Sequence, residues 1–249
     1  MILEIASCTV LFTAASLVLP YIIPYFRNRL QQINSMPIAV FDAECIQDAH
    51  RAQINAIDRS IGQIVAAVGQ LIITGWACLN LLGLNAFQSL DAFVIGYYIY
   101  DTIHLLTKPY AKTLKLFIVH HTLTICLVVY LHVVDIPYYI ILNMLYIVLE
   151  FSGATNNIAN VLIHTYPSAQ FVIPCSFINV SIYCITRIVL YSTLCAYILY
   201  YTYVTTTSTY SYYLCIPPML LLTILYIACI YWFIGMVAKH RTLKQKLIL

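Results

Sequence analysis

Seven apolar stretches set apart by short polar breaks dominate this chain, at roughly residues 3–25, 61–83, 90–107, 115–134, 138–162, 170–201 and 212–237. A bilayer's hydrocarbon core needs about 20 apolar residues per helix, and backbone groups in lipid must bond within their own segment. Runs of this length and number predict an all-α fold, a polytopic transmembrane helical bundle of about seven spans. The third stretch is short, and the sixth is long enough to hide a re-entrant turn. Composition agrees: 8% of residues are charged, against about 25% in soluble domains. At 249 residues the chain fits one bundle rather than several domains.

The reading divides the chain into an N-terminal transmembrane helix (1–26), a cytosolic linker (27–54), a membrane domain (55–240) and a cytosolic tail (241–249). The first stretch carries Glu4, lacks a basic leader and is too long for a signal core. It reads as a retained span, bent or tilted at Pro20 and Pro24. The polar segment up to about 58 reads as a short surface helix and linker. Lys and Arg set orientation. Arg27, Arg29, Arg51 and Arg59 fall between the first two stretches, Lys108, Lys112 and Lys115 between the third and fourth, and Lys239, Arg241, Lys244 and Lys246 after the seventh. The opposite loops, 84–90, 135–137 and 202–211, contain neither residue type. The expected topology is a lumenal N-terminus and a cytosolic C-terminus.

Several classes are set aside. The net charge of +3 is split among span ends, and no phosphate loop or zinc-finger spacing occurs, so nucleic acid is not an expected partner. The nine cysteines are scattered without a CxxC and read as small hydrophobes. Much of the abundant tyrosine lies near span ends, as interfacial tyrosine does. The paired repeats of transporters and the charge rings or filter loops of pores are absent. A seven-span receptor fits poorly, because the polar residues gather toward the cytosolic side.

Ionisable groups inside a membrane are costly and mark function by default. Here they are Asp101 and His104, the adjacent His120 and His121, Glu150, and Arg187. At about 1.5 Å per residue, the first four lie one to two turns below the cytosolic boundary, and Glu150 and Arg187 lie nearer the midplane. One shared polar cavity is the economical arrangement. Asp101 and His104, at i and i+3, share a helix face. His120 and His121 point about 100° apart on a helix of this pitch, so one lines the cavity while the other bonds to a neighbouring helix. Bland alternatives stand beside these. His104 can be a helix–helix hydrogen-bonding group, and Glu150 with Arg187 a buried ion pair. Asp91 and Asp135 read as solvated span ends. Imidazole and carboxylate suit iron or zinc, but the HxxxH and HxxHH clusters of membrane di-iron enzymes are missing, so no metal is expected.

In order along the chain, "GYYIYD" (Gly96–Asp101), "FIVHH" (ending His120, His121), "LEFSGATNN" (Glu150, Ser152, Asn157), "TRI" (Arg187) and "YWF" (Trp232) resemble the motifs of the TLC-domain family, which includes the ceramide synthases. Arg59 also fits, and the resemblance covers about 55–245. It implies a ring of six helices around a lipid-holding tunnel plus one further helix, here the first span. The His-Asp-x-Ser-Asp run of ceramide synthases is replaced by Leu142, Asn143, Met144, Leu145 and Tyr146. The chain is therefore similar to the non-synthase branch. Ala154 and Thr155 stand where that branch has Pro-Phe, and its basic residue after the asparagine is replaced by Ala159 or Asn160.

Two functions compete on these residues. One is acyl transfer from acyl-CoA to a membrane lipid, with no other cofactor. His120 or His121 would act as general base or acyl acceptor, with Asp101 or Glu150 orienting it. His104, Ser152, Asn157 and Arg187 would bind substrate. Lys108, Lys112 and Lys115 would attract the anionic head of acyl-CoA, although ordinary positive-inside topology also explains them. The other is a non-catalytic protein that binds or senses lipid and regulates membrane composition. The endoplasmic reticulum is the compartment the resemblance implies, and nothing in the chain specifies an oligomer.

Overall fold

The computed structural model describes residues 2–24, 28, 43–84, 90–107, 114–133, 139–165, 169–205 and 209–248. Among them are seven helical rods and no strand. These are α1 (Ile2–Ile22), α2 (Ala43–Leu81), α3 (Leu90–Leu106), α4 (Leu114–Val133), α5 (Tyr139–Thr165), α6 (169–205) and α7 (Thr209–Ile248). Each apolar stretch of the sequence lies on one rod. α2 starts at Ala43, so the surface helix expected before the second stretch is the first part of that same helix. α6 contains no re-entrant turn. Its irregularity is a π-helical segment, Cys184–Leu190, between two α-helical parts, Ala169–Tyr183 and Tyr191–Thr205.

Contacts close six of the rods into a ring, in the order α2, α3, α4, α7, α6, α5 and back to α2. The most extensive pairing is α2 with α5, and α1 packs outside the ring against α2 and α3. Four stretches are long and apolar enough to cross a membrane: Ile2–Leu19, Ile54–Leu81, Gln170–Tyr201 and Tyr213–Gln245. Leu116–Leu131 is a shorter apolar helix. The chain is a multi-pass membrane protein. α5 falls outside that set because Glu150, Ser152, Asn156, Asn157 and Asn160 dilute its hydropathy. A ring of neighbours can carry such a face where lipid cannot.

Local chemistry explains two joints. α2 ends at Gly83, whose φ of 74° only glycine adopts without penalty. The Gly83 and Leu84 amides bond back to the Asn80 and Leu79 carbonyls, a Schellman closure. At Gly96 a Cβ would come within 2.8 Å of the Ile5 carbonyl oxygen and of Cys8 Cβ, so glycine is what lets α1 reach α3.

Tyrosine does more than mark interfaces. Tyr97, Tyr98, Tyr146, Tyr183 and Tyr191 are buried, and several hydroxyls lace helices together by donating to backbone carbonyls. Tyr191 bonds Leu222 O at 2.9 Å, and Tyr130 bonds Leu214 O at 2.7 Å. The second bond replaces one that α7 lacks, because Pro218 has no N–H to offer the carbonyl four residues earlier. Asp91, expected as a solvated end, is partly buried and accepts the Tyr146 hydroxyl at 2.9 Å.

Candidate functional site

The α3–α4 pair builds one side of the site. Asp101 and Thr102 are consecutive on α3 and meet the same imidazole on α4. Asp101 Oδ2 lies 3.3 Å from His121 Nε2, and Thr102 Oγ1 lies 2.9 Å from His121 Nδ1. With Asp101 ionised, the carboxylate accepts the Nε2 proton and Nδ1 accepts the threonine hydroxyl, which fixes one tautomer. Both nitrogens of His121 are thereby engaged.

His120 turns elsewhere. Its ring stands edge-on to Trp232 of α7, with centroids 5.2 Å apart, and edge-on to Tyr98 at 6.1 Å. It is 6% exposed, and its Nδ1 has no hydrogen-bond partner. Trp232 Nε1 is likewise buried and unpaired.

Tyr98 is the hub of this corner. Its ring lies 4.9 Å from that of His121, and its hydroxyl donates to Glu150 Oε1 across the ring. Glu150 is 1% exposed. Arg187 acts on its carboxyl through its charge and Gln70 through a side-chain hydrogen bond. Leaving a buried polar atom unsatisfied costs about 1–3 kcal/mol. Two such atoms, His120 Nδ1 and Trp232 Nε1, stand side by side in this corner.

Arg187, 4% exposed, sits within the π-helical segment and ties α6 to α5 and α7. Its Nε donates to Ser152 Oγ at 2.6 Å, Nη2 to the Leu149 carbonyl and Nη1 to Cys229 Sγ at 3.7 Å. The Ser152 hydroxyl in turn donates to Leu149 O at 2.9 Å. No direct ion pair joins Arg187 to Glu150 among the described residues, so the buried pair considered from sequence is replaced by neutral partners on either side.

Helical spacing of 3 and 4 residues connects this polar level to an apolar one. On α4 the stripe runs His120, Thr124, Leu127, Leu131. On α6 it runs Arg187, Tyr191, Leu194, Ile198, and on α7 Trp232, Cys229, Leu225, Leu222, Pro218. Leu127, Leu131, Ile141, Leu145, Ile198 and Leu222 line a narrow cleft with almost no polar surface. Polar groups and apolar cleft thus occupy successive levels of the same inward stripes.

Of the residues singled out in the sequence, Asp101, His120, His121, Glu150, Ser152 and Arg187 gather in or beside this cluster. His104 does not, because its ring packs against Gly62 of α2. Asn157 forms an outer tie, with Nδ2 donating to Gln70 Oε1 at 3.0 Å. Lys108 and Lys112 lie outside the described residues, as does the side chain of Lys115. Sequence reasoning missed Tyr98, Thr102, Gln70 and Cys229. The available signal for the first two was position, since Tyr98 and Thr102 flank Asp101 within one helical turn.

Residues 82–238 match the family model of the TLC domain. No curated protein matches the chain, and no solved structure does.

Proposed function

The chain belongs to the TLC-domain family, and from that premise we propose that it transfers an acyl group from acyl-CoA to a lipid acceptor within the membrane. The observation that carries this reading is His120. Its ring nitrogen Nδ1 is unpaired among polar groups, and its stripe on α4 runs on for about 10 Å to Leu127 of the apolar cleft. The acyl chain would lie in the cleft and its thioester carbonyl at the level of His120. Because the cleft is narrow, chain entry requires the helices around it to part. The acceptor's O–H or N–H attacks the carbonyl, His120 takes the proton, the C–S bond breaks, and the coenzyme A sulfur leaves with that proton. Alternatively, His120 itself accepts the acyl group and passes it on. His121, held by Asp101 and Thr102, is a positioning residue in this scheme. Glu150 Oε2 receives the acceptor's donor group. The site would work from the cytosolic leaflet of the endoplasmic reticulum, with a lumenal N-terminus.

A second reading, lipid binding without turnover, draws on a different observation. His121 and Arg187 have their polar atoms committed to neighbouring helices, as structural groups do. One experiment separates the two. Membranes holding wild type or His120→Ala receive isotope-labelled acyl-CoA with sphingoid bases and lysophospholipids, read by lipid mass spectrometry. A labelled lipid made only by wild type supports transfer and names the acceptor. Equal background from both, with a lipid retained through purification, favours the binding reading. Glycosylation tags on each terminus test the topology.

A further inference from the structure

α4 carries Phe117 and His120 one turn apart, and the indole of Trp232 on α7 sits against both. It stacks on Phe117, with centroids 5.2 Å and planes 28° apart, and meets the His120 ring edge-on at 5.2 Å and 81°. These two contacts fix the plane of the indole. Its Nε1 is buried without a partner, and so is His120 Nδ1. A tryptophan that only filled this corner would leave a buried donor unmatched, a cost that phenylalanine avoids. The reaction proposed above uses His120 and leaves Trp232 without a part.

The two nitrogens ask different things of a ligand. An indole N–H can only donate. The imidazole Nδ1, as the base of the reaction, accepts. The matching atom therefore accepts one hydrogen bond and donates another. With ring centroids 5.2 Å apart, one oxygen can serve both nitrogens through ordinary hydrogen bonds of about 2.8 Å. A hydroxyl meets both demands. Its proton points at His120, one lone pair takes the Trp232 N–H, and the second lone pair stays free to attack. An amine fails this count, because its single lone pair cannot both accept from Trp232 and attack.

We infer that the acyl acceptor is a lipid hydroxyl held between Trp232 Nε1 and His120 Nδ1, so that the product is an ester and not an amide. The inference rests on the acyl transfer proposed above and names the class of its acceptor. The hydroxyl oxygen bonds to the thioester carbon while its proton passes to His120 Nδ1. The C–S bond then breaks, and the coenzyme A sulfur leaves with that proton. Trp232 holds the attacking oxygen throughout and does not bind the thioester.

The test uses the full chain in nanodiscs with isotope-labelled acyl-CoA and two acceptors. Lysophosphatidylcholine offers a hydroxyl alone, and sphinganine offers hydroxyls and an amine in one molecule. Mild alkali cleaves esters and spares amides, so it sorts the labelled products by linkage. Wild type is expected to make alkali-labile product on the order of tenfold above alkali-resistant product, the worth of the hydrogen bond an amine forfeits. Trp232→Phe keeps an aromatic ring against Phe117 and His120 and removes the N–H. It should raise the KM for the acceptor on the order of tenfold and leave the KM for acyl-CoA unchanged. Thermal unfolding reports whether this variant is folded; if it is not, the linkage made by wild type still decides. Mainly alkali-resistant product overturns the inference and leaves acyl transfer standing. A folded Trp232→Phe with an unchanged acceptor KM does the same, as does one that raises only the KM for acyl-CoA. No labelled lipid from wild type with either acceptor overturns both.

Discussion

The two sides of the central cluster are built from similar residues and end in opposite conditions. Around Arg187, three donor groups find Ser152 Oγ, Leu149 O and Cys229 Sγ, and Ser152 is itself satisfied. Around His120, two buried ring nitrogens, on α4 and α7, find no partner. Burial is nearly equal, at 4% exposed for Arg187 and 6% for His120, so solvent does not explain the difference. A satisfied buried network rigidifies, and an unsatisfied one is costly. The arginine side is therefore the satisfied part of the cluster, and the histidine side is the part that the proposed reaction draws on.

That contrast breaks first at His120. His120→Ala is expected to lower acyl transfer by about two to four orders of magnitude, the usual worth of a general base. Its loss of thermal stability should be the smaller of the two histidines', coming from the cavity and the ring contacts with Trp232 and Tyr98, because Nδ1 breaks no hydrogen bond. His121→Ala should do the reverse, losing stability as Asp101 and Thr102 are left unpaired. If the two variants lose activity and stability in the same proportion, the division of labour between the histidines is wrong.

Arg187→Met comes next, measured by thermal unfolding in nanodiscs. Removing the guanidinium takes a donor from Ser152 Oγ and from the Leu149 carbonyl and cuts the link from α6 to both neighbours. A loss of about 3 kcal/mol is expected, as for other broken buried networks. A melting temperature within error of wild type would mean that the ring does not depend on this side.

The ring itself was partly legible. The seven helices follow from the seven apolar stretches, because lipid tolerates little else. That six helices form a ring was reached only through the family resemblance, and their order around it was not reached, since no periodicity in one helix names its neighbours. Asp101, His120, His121, Glu150 and Arg187 stood out because charge in an apolar run is costly. Tyr98 did not, because tyrosine counts as apolar until its hydroxyl finds a partner. For Arg187 the sequence offers substrate binding or, by charge complementarity, an ion pair with Glu150. Its actual partners depend on the π-helical segment, whose register a 3.6-residue pattern does not describe.

Glu150 sharpens the comparison at intermediate magnitude. Tyr98→Phe removes the hydroxyl that binds Oε1 and should cost about 1 kcal/mol, the net worth of one hydrogen bond. Glu150→Gln keeps an acceptor for Tyr98, so stability should move by less than that, while transfer to the lipid acceptor falls because Oε2 no longer receives its donor. Greater damage to folding from Glu150→Gln than from Tyr98→Phe would place the carboxyl on the structural side.

The smallest expected effect is at Asn157. Its bond to Gln70 joins α5 to α2, the most extensive helix pairing in the ring, so many other contacts survive its loss. Interhelical polar bonds inside membranes average about 0.6 kcal/mol, since the separated helices find other partners. Asn157→Ala should therefore shift unfolding by about that much and leave acyl transfer near wild type. Gln70 lies between Asn157 and Glu150, and this makes the small effect informative. If Asn157→Ala instead lowers transfer tenfold at unchanged stability, Gln70 has turned on losing its partner, and the open side of the site extends through α2.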